Sequence, residues 1–331
     1  MTPKKRLLYL RLVATVIMIV MISVFKNLKY ESYSLLKTNP VYSQDLNKQP
    51  GGDRRLWREN LPQVQEILID LETDSVFPAL WYDPKGLGAK PLLIVLNDIC
   101  ENHLMSMAQP FAQWSVKNRW IFIHPQYFSC KQGKGTTIDQ IAQNIHQIIQ
   151  YAKRHADVDC SRIYIAGFRS GGKAALHTAG LFSETITAVS VWSTGSEYIE
   201  GIIHNEDTSV LSRSLNSGNG LEQLKKNVSE GRVGVYIAHG IEDSSNSAVY
   251  AVQIFEELYG SEILTRLQRR NLFKGEQNRF SQFHEDTLYN HAGIDVLLQK
   301  ERNNLKFSLF QGKADIVYNA SLCWMAQQRS E

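Results

Sequence analysis

The stretch Val158-Asp159-Cys160-Ser161-Arg162-Ile163-Tyr164-Ile165-Ala166-Gly167-Phe168-Arg169-Ser170-Gly171-Gly172-Lys173-Ala174-Ala175-Leu176 decides the fold. Its first part, Arg162 to Ala166, is an apolar run of the kind a fully buried parallel strand shows. Its last part, Ser170 to Gly180, is rich in small residues and reads as a helix. Gly167 and Gly171 lie two positions before and after Arg169. A strand that turns abruptly into a helix needs small residues at those two places, because the two backbones crowd each other there. The spacing therefore predicts a sharp elbow with Arg169 at its apex.

Outward from this unit the same alternation repeats. Gln65 to Leu71, Val76 to Tyr82, Leu92 to Leu96, Trp120 to His124, Ala188 to Trp192, Val233 to Ala238 and Leu305 to Phe310 read as strands. Helical signals lie between them at His103 to Val116, at Ala248 to Leu258 and at Asp315 to Gln328. The clearest is Ile138, Ile141, Ala142, Ile145, Ile148, Ile149 and Ala152, an apolar stripe at helical spacing. Strands alternating with helices imply an α/β fold with a mostly parallel central sheet and helices on both faces. Residues 259 to 300 break the pattern with a run of charged side chains and read as an insertion over one rim.

The N-terminus is different in kind. Lys4, Lys5, Arg6 and Arg11 precede an apolar run from Leu12 to Phe25, interrupted by Thr15 and Ser23 and closed by Lys26 and Lys29. Such a segment reads as a signal peptide or transmembrane signal anchor over residues 1–30, with the basic end in the cytoplasm. Residues 31–60 are polar, contain Asn39-Pro40 and Pro50-Gly51-Gly52, and read as a linker. Residues 61–331 are left for one domain. The implied localisation is membrane-anchored or secreted, with that domain on the non-cytoplasmic side. Composition agrees with a globular domain: 43% of the 331 residues are hydrophobic and 21% charged. The net charge of +3, from 36 basic and 33 acidic residues, excludes an electrostatic case for nucleic acid. No pattern calls for a metal or cofactor.

With these residues in place, the elbow resembles the polyhydroxybutyrate-depolymerase and feruloyl-esterase-like branch of the α/β-hydrolases, whose pattern runs D-x-S-R-I-Y-x-x-G-F-S-x-G-G. The resemblance covers about residues 64 to 328. It implies a serine nucleophile at the apex, where this chain has Arg169. It implies a triad acid after a later strand, and Val235-Tyr-Ile-Ala-His239-Gly-Ile-Glu242-Asp243 offers Asp243. It implies a histidine after the last strand, where Ala314 stands. It implies a His-Gly turn on the oxyanion side, where the chain reads Asn97-Asp98. An acidic Asp98 beside a developing oxyanion opposes what catalysis needs.

Three departures point to a non-catalytic relative with a binding or scaffolding role, its partner an unidentified small molecule, ester or protein, and its membrane contact made by the N-terminal helix. The alternative is an active carboxylic-ester hydrolase that uses Ser170 with Asp243 and an unplaced histidine. Ser170 would then have Phe168 two positions before it, crowding the turn. A third reading makes Arg169 an anion clamp. His284 and His291, inside the insertion, read as exposed, and His239 as structural. If the turn has lost its chemistry, the Arg169 guanidinium is expected to pair with Asp243, Glu242, Asp98 or Asp315. Of the four cysteines, Cys100 and Cys130 each follow a buried strand, and the resemblance makes those strands neighbours, so a disulfide between them is expected. Cys160 sits at the opposite edge and Cys323 in the closing helix. Asn227-Val-Ser229 and Asn319-Ala-Ser321 fit the glycosylation sequon.

Overall fold

A computed structural model describes residues 54–71, 76–98, 101–128, 137–194, 220–273 and 284–330, with Val41–Tyr42 and the isolated positions Thr15 and Met18. The chain divides into Met1–Leu35 and Leu36–Glu331. In the first unit, Thr15 and Met18 are helical and exposed. The remainder of the predicted signal or anchor helix lies outside the described residues. Among the described residues no helix is long and apolar enough to cross a membrane.

In the second unit the strands are β1 (Val41–Tyr42), β2 (Gln65–Asp70), β3 (Val76–Tyr82), β4 (Lys90–Leu96), β5 (Ile121–Pro125), β6 (Val158–Phe168), β7 (Ala188–Trp192), β8 (Gly234–Gly240), β9 (Val296–Arg302), β10 (Leu305–Phe310) and β11 (Ile316–Val317). The helices are α1 (Arg54–Asn60), α2 (Gln109–Asn118), α3 (Ile138–His155), α4 (Ser170–Leu181), α5 (Gly220–Ser229), α6 (Ala248–Tyr259), α7 (Arg266–Phe273), α8 (Thr287–Asn290) and α9 (Tyr318–Gln327). Nine strands form the main sheet in the order β2-β3-β5-β4-β6-β7-β8-β10-β9. From β5 to β10 neighbouring strands are parallel. β3 runs antiparallel to both β2 and β5, and β9 antiparallel to β10.

The two faces of the sheet are packed differently. Leu92, Ile94, Ile163, Ile165, Val189, Ile237 and Phe307 belong to the aliphatic core that includes the buried face of α3. That helix buries five isoleucines and starts with a Thr137–Gln140 capping box. Each buried isoleucine contributes about 1.5–3 kcal/mol. On the other side aromatic rings fill the space: Trp120 stacks on Tyr164 at 5.2 Å, Tyr236 meets Trp324 at 5.5 Å, and Phe111 meets Tyr318 edge-on at 5.0 Å.

Three boundaries differ from the sequence reading. Arg54–Asn60, read as the end of a linker, is helix α1. Trp57 is buried, donates to the Leu104 carbonyl at 2.9 Å and stacks on Phe122, so one large ring fixes a segment whose composition is polar. Further back in the same stretch, Val41 and Tyr42 pair with Val317 and Ile316. Residues 296–300, read as the end of the insertion, belong with Glu301 and Arg302 to β9, an edge strand whose Val296, Leu297 and Leu298 are buried. The sequons sit on buried asparagines: Asn227 donates to the Gly180 carbonyl at 3.1 Å, and Asn319 is 5% exposed. Neither side chain is presented to a glycosylating enzyme in the folded protein.

Candidate functional site

The connections from β4 and β6 leave in opposite directions along the sheet, and a crevice opens outside the carboxyl ends of strands at such a switch point. Arg169 stands there, at the apex of the β6-to-α4 turn. Its φ is 53° and ψ −121°, a left-handed conformation that a side chain adopts only when its surroundings hold it. Its amide donates to the Trp192 carbonyl at 2.9 Å, and its carbonyl accepts from Gly172 at 3.0 Å and Lys173 at 3.2 Å. Gly171 lies against the Leu96 and Asn97 carbonyls so closely that a Cβ would overlap them. The glycine therefore brings the carboxyl end of β4 up to the elbow.

Arg169 is joined there by Asp98. Arg169 Nη1 is 3.6 Å from Asp98 Oδ2, and the two side chains are 17% and 27% exposed. Of the four carboxylates considered for it, Asp98 forms this ion pair. The Ser170 hydroxyl, in the first turn of α4, donates to Asp98 Oδ1. Ser170 thus lies one position past the apex and faces a carboxylate. The histidines with side-chain hydrogen bonds have them elsewhere: His103 bonds Glu66, His124 the Val95 carbonyl, His146 Gln150, His155 the Tyr151 carbonyl, His177 Asp139 and His239 the Asn246 carbonyl. His284 is half-buried and pairs through its backbone with Val296, while His291 caps α8 and is exposed.

The β4 loop turns inward on itself. Asp98 donates its amide to Glu101 Oε2 at 3.2 Å, and Asn97 donates its side-chain amide to the Asn102 carbonyl at 2.8 Å. Tyr127, fully buried, donates to the Asn97 carbonyl at 2.8 Å. Burial is the main reason the Glu101 carboxyl is pushed up to about 7, with the Asp98 carboxylate adding to it and the Asp98 amide and Arg169 opposing. Burial likewise raises the Tyr127 phenol, and Asp98 adds to the effect. Among its described residues the loop holds two carboxyl groups, Asp98 and Glu101, and an Asp98 amide that is satisfied internally, with Arg169 facing it from the elbow. Glu101 and Tyr127 escaped the sequence reading. The only available signal for Glu101 was its place three residues after Asp98, in reach of a tight turn.

Asp243 follows β8. Its Oδ1 accepts from the Ser245 amide at 2.9 Å and the Asn246 amide at 3.1 Å, and only 2% of its side chain is exposed. His239 Nε2 lies 3.7 Å from Asp243 Oδ2. Burial lowers the His239 pKa, against the pull of Asp243 and of the Asn246 carbonyl. Ala314 is 2% exposed, in the loop after β10, and its methyl brings no hydrogen-bonding group there. That loop packs on the β8 end: Glu242 donates its amide to the Gly312 carbonyl at 2.8 Å, and Gly240 lies against the Lys313 carbonyl. Cys100 and Cys130 lie outside the described residues, so their pairing does too. Cys160 is a free exposed thiol and Cys323 a free buried one. A cavity of about 520 Å³ lined by Lys225, Tyr259 and Arg302 lies at the opposite, amino edge of β10. Its cations sit at the carboxyl ends of α5 and α6, where helix dipoles favour positive charge.

No family model matches the chain, and no curated protein matches it by sequence. Solved structures do resemble it. Acetyl xylan esterase from Aspergillus awamori matches with a TM-score of 0.51 at 14% identity, covering 79% of this chain and 98% of that one. A ferulic acid esterase matches with a TM-score of 0.49 at 13% identity, covering 78% and 94%. Est1E from Butyrivibrio proteoclasticus matches with a TM-score of 0.48 at 15% identity, covering 64% and 94%. The sheet order, the elbow and the first of these matches give the chain the fold of the α/β-hydrolase superfamily.

Proposed function

We propose that this protein is a non-catalytic descendant of esterase-like α/β-hydrolases, held outside the cytoplasmic membrane by its N-terminal segment, with a binding or scaffolding role. The observation that carries the reading is the apex itself. The residue that the elbow presents is Arg169, and its guanidinium is paired with Asp98. Acyl transfer needs a nucleophile, a base in contact with it and donors aimed at the developing oxyanion. Ser170, the nearest hydroxyl, is bonded to a carboxylate at the head of a helix. The Asp98 amide is taken by Glu101. The basic start and apolar run before Lys26 support the placement outside the membrane.

The test is a fluorophosphonate probe applied to the purified full-length protein, with hydrolysis of a generic aryl acetate measured alongside. Neither labelling nor turnover above a heat-denatured control is expected. Labelling that vanishes in Ser170→Ala would overturn the proposal.

A further inference from the structure

Four buried polar atoms at the carboxyl ends of β7 and β8 make no hydrogen bond: Ser193 Oγ, Thr194 Oγ1, His239 Nδ1 and Asp243 Oδ2. Buried polar atoms are nearly always satisfied, so neighbouring exceptions need a cause. These belong to one edge of the sheet. Ser193 continues β7 and donates its amide to the Ala238 carbonyl at 3.2 Å, which sets it beside the end of β8. Its own φ is 52°, a second left-handed side-chain-bearing residue at this edge. Thr194 Oγ1 lies against Gly172, under the first turn of α4. Asp243 closes the row from the other side.

The chemistry of the row is that of an acceptor. His239 Nε2 carries a proton to bond the Asn246 carbonyl, and Nδ1 is the ring nitrogen left without a partner. Asp243 Oδ2 is an acceptor held rigidly by the two amides on Oδ1. His239 Nε2 stands 3.7 Å from that oxygen, beyond hydrogen-bond reach, and Arg169 is paired with Asp98. A desolvated carboxylate with one open oxygen favours a cation that donates a hydrogen bond. Ala314 supplies no such donor from the protein.

We propose that Asp243, with His239, Ser193 and Thr194, forms a site for a small organic cation carrying N–H donors, of the imidazolium or ammonium class. The proposal rests on reading Ala314 as the vacated histidine position. The ligand's N–H takes the role at Asp243 Oδ2 that a protein imidazole would otherwise fill. The hydroxyls of Ser193 and Thr194 then accept or donate to the rest of the ligand.

Imidazole is the probe. Isothermal titration with the full-length protein should give saturable binding, weakened about tenfold or more in Asp243→Asn, as loss of a charged hydrogen-bond acceptor predicts. Ala314→His should abolish binding by placing a tethered ring in the same site. The cation 1,3-dimethylimidazolium, which has charge but no N–H, should not bind. In wild-type protein, ¹⁵N-labelled imidazole should show a bound shift of the protonated ring, a readout that requires no variant. A free-imidazole shift at the highest concentration, equal binding to Asp243→Asn, or equal binding of the dimethyl cation would overturn the proposal. Labelling by the serine-directed probe would instead sink the non-catalytic reading, so the two failures are separable.

Discussion

Arg169 carries two opposing contributions to stability. Its backbone sits at φ 53° and ψ −121°, a region that costs a side-chain-bearing residue about 1–3 kcal/mol. Its guanidinium stands 3.6 Å from a half-buried Asp98 carboxylate. Removing one partner of such a pair leaves the other desolvated, at a cost reduced here by the remaining exposure. Two substitutions separate these effects. Arg169→Ala keeps the strain and loses the pair, and should destabilise by about 1–2 kcal/mol. Arg169→Gly loses the pair and relieves the strain, and should be more stable than the alanine variant by about 1 kcal/mol. Urea unfolding of the three proteins reads both differences. An alanine variant equal to the wild type would mean that the Asp98 contact contributes nothing.

The loop after β4 shows how an element departs from what its sequence suggests. Asn97-Asp98 stood out in the sequence because the resemblance implies His-Gly at the end of β4. The closure of that loop on Glu101 was not legible, because it depends on how a half-buried carboxyl meets the Asp98 amide in three dimensions. The same holds for α1, where a buried Trp57 outweighs a polar, glycine-rich approach. Glu101 makes the loop titratable. Its folded pKa of about 7 lies above its ordinary 4.5, so the fold prefers the protonated acid. The stability this gives is fully present below pH 4.5 and is lost as pH rises through about 7. After allowance for residual exposure, the loss should be about 2 kcal/mol. Glu101→Gln should therefore flatten the fall in unfolding free energy between these limits. Parallel curves for variant and wild type across that window would show that Glu101 does not titrate there.

At the scale of the molecule, the parallel sheet was readable from its apolar runs, and the elbow from two glycines four residues apart. Both follow from local rules of burial and backbone crowding. What escaped was whatever depends on assembly: β9 at the sheet edge, α1 on the core, and the choice of Asp98 as partner for Arg169. On the non-catalytic reading proposed above, that assembly also determines what hydrolysis would require. Replacing Arg169 with serine and Ala314 with histidine supplies a nucleophile and a base beside Asp243. It leaves the Asp98 carboxylate and the Glu101 carboxyl where negative charge would develop, and it leaves the Asp98 amide bonded to Glu101. It also removes the arginine that now offsets Asp98. The pair Arg169→Ser and Ala314→His should therefore hydrolyse an aryl acetate at the background rate. Adding Asp98→Gly and Glu101→Ala opens the loop amide and removes both acidic side chains. An oxyanion donor is worth about 10²–10³ in rate, so the quadruple variant should exceed the double by roughly that factor. The comparison is made on proteins with matched circular dichroism, so that a rate difference reports the site and not the fold. Turnover in the double variant equal to that of the quadruple would show that the two acidic side chains do not oppose an oxyanion there, and that the β4 loop is not what separates this site from a hydrolytic one.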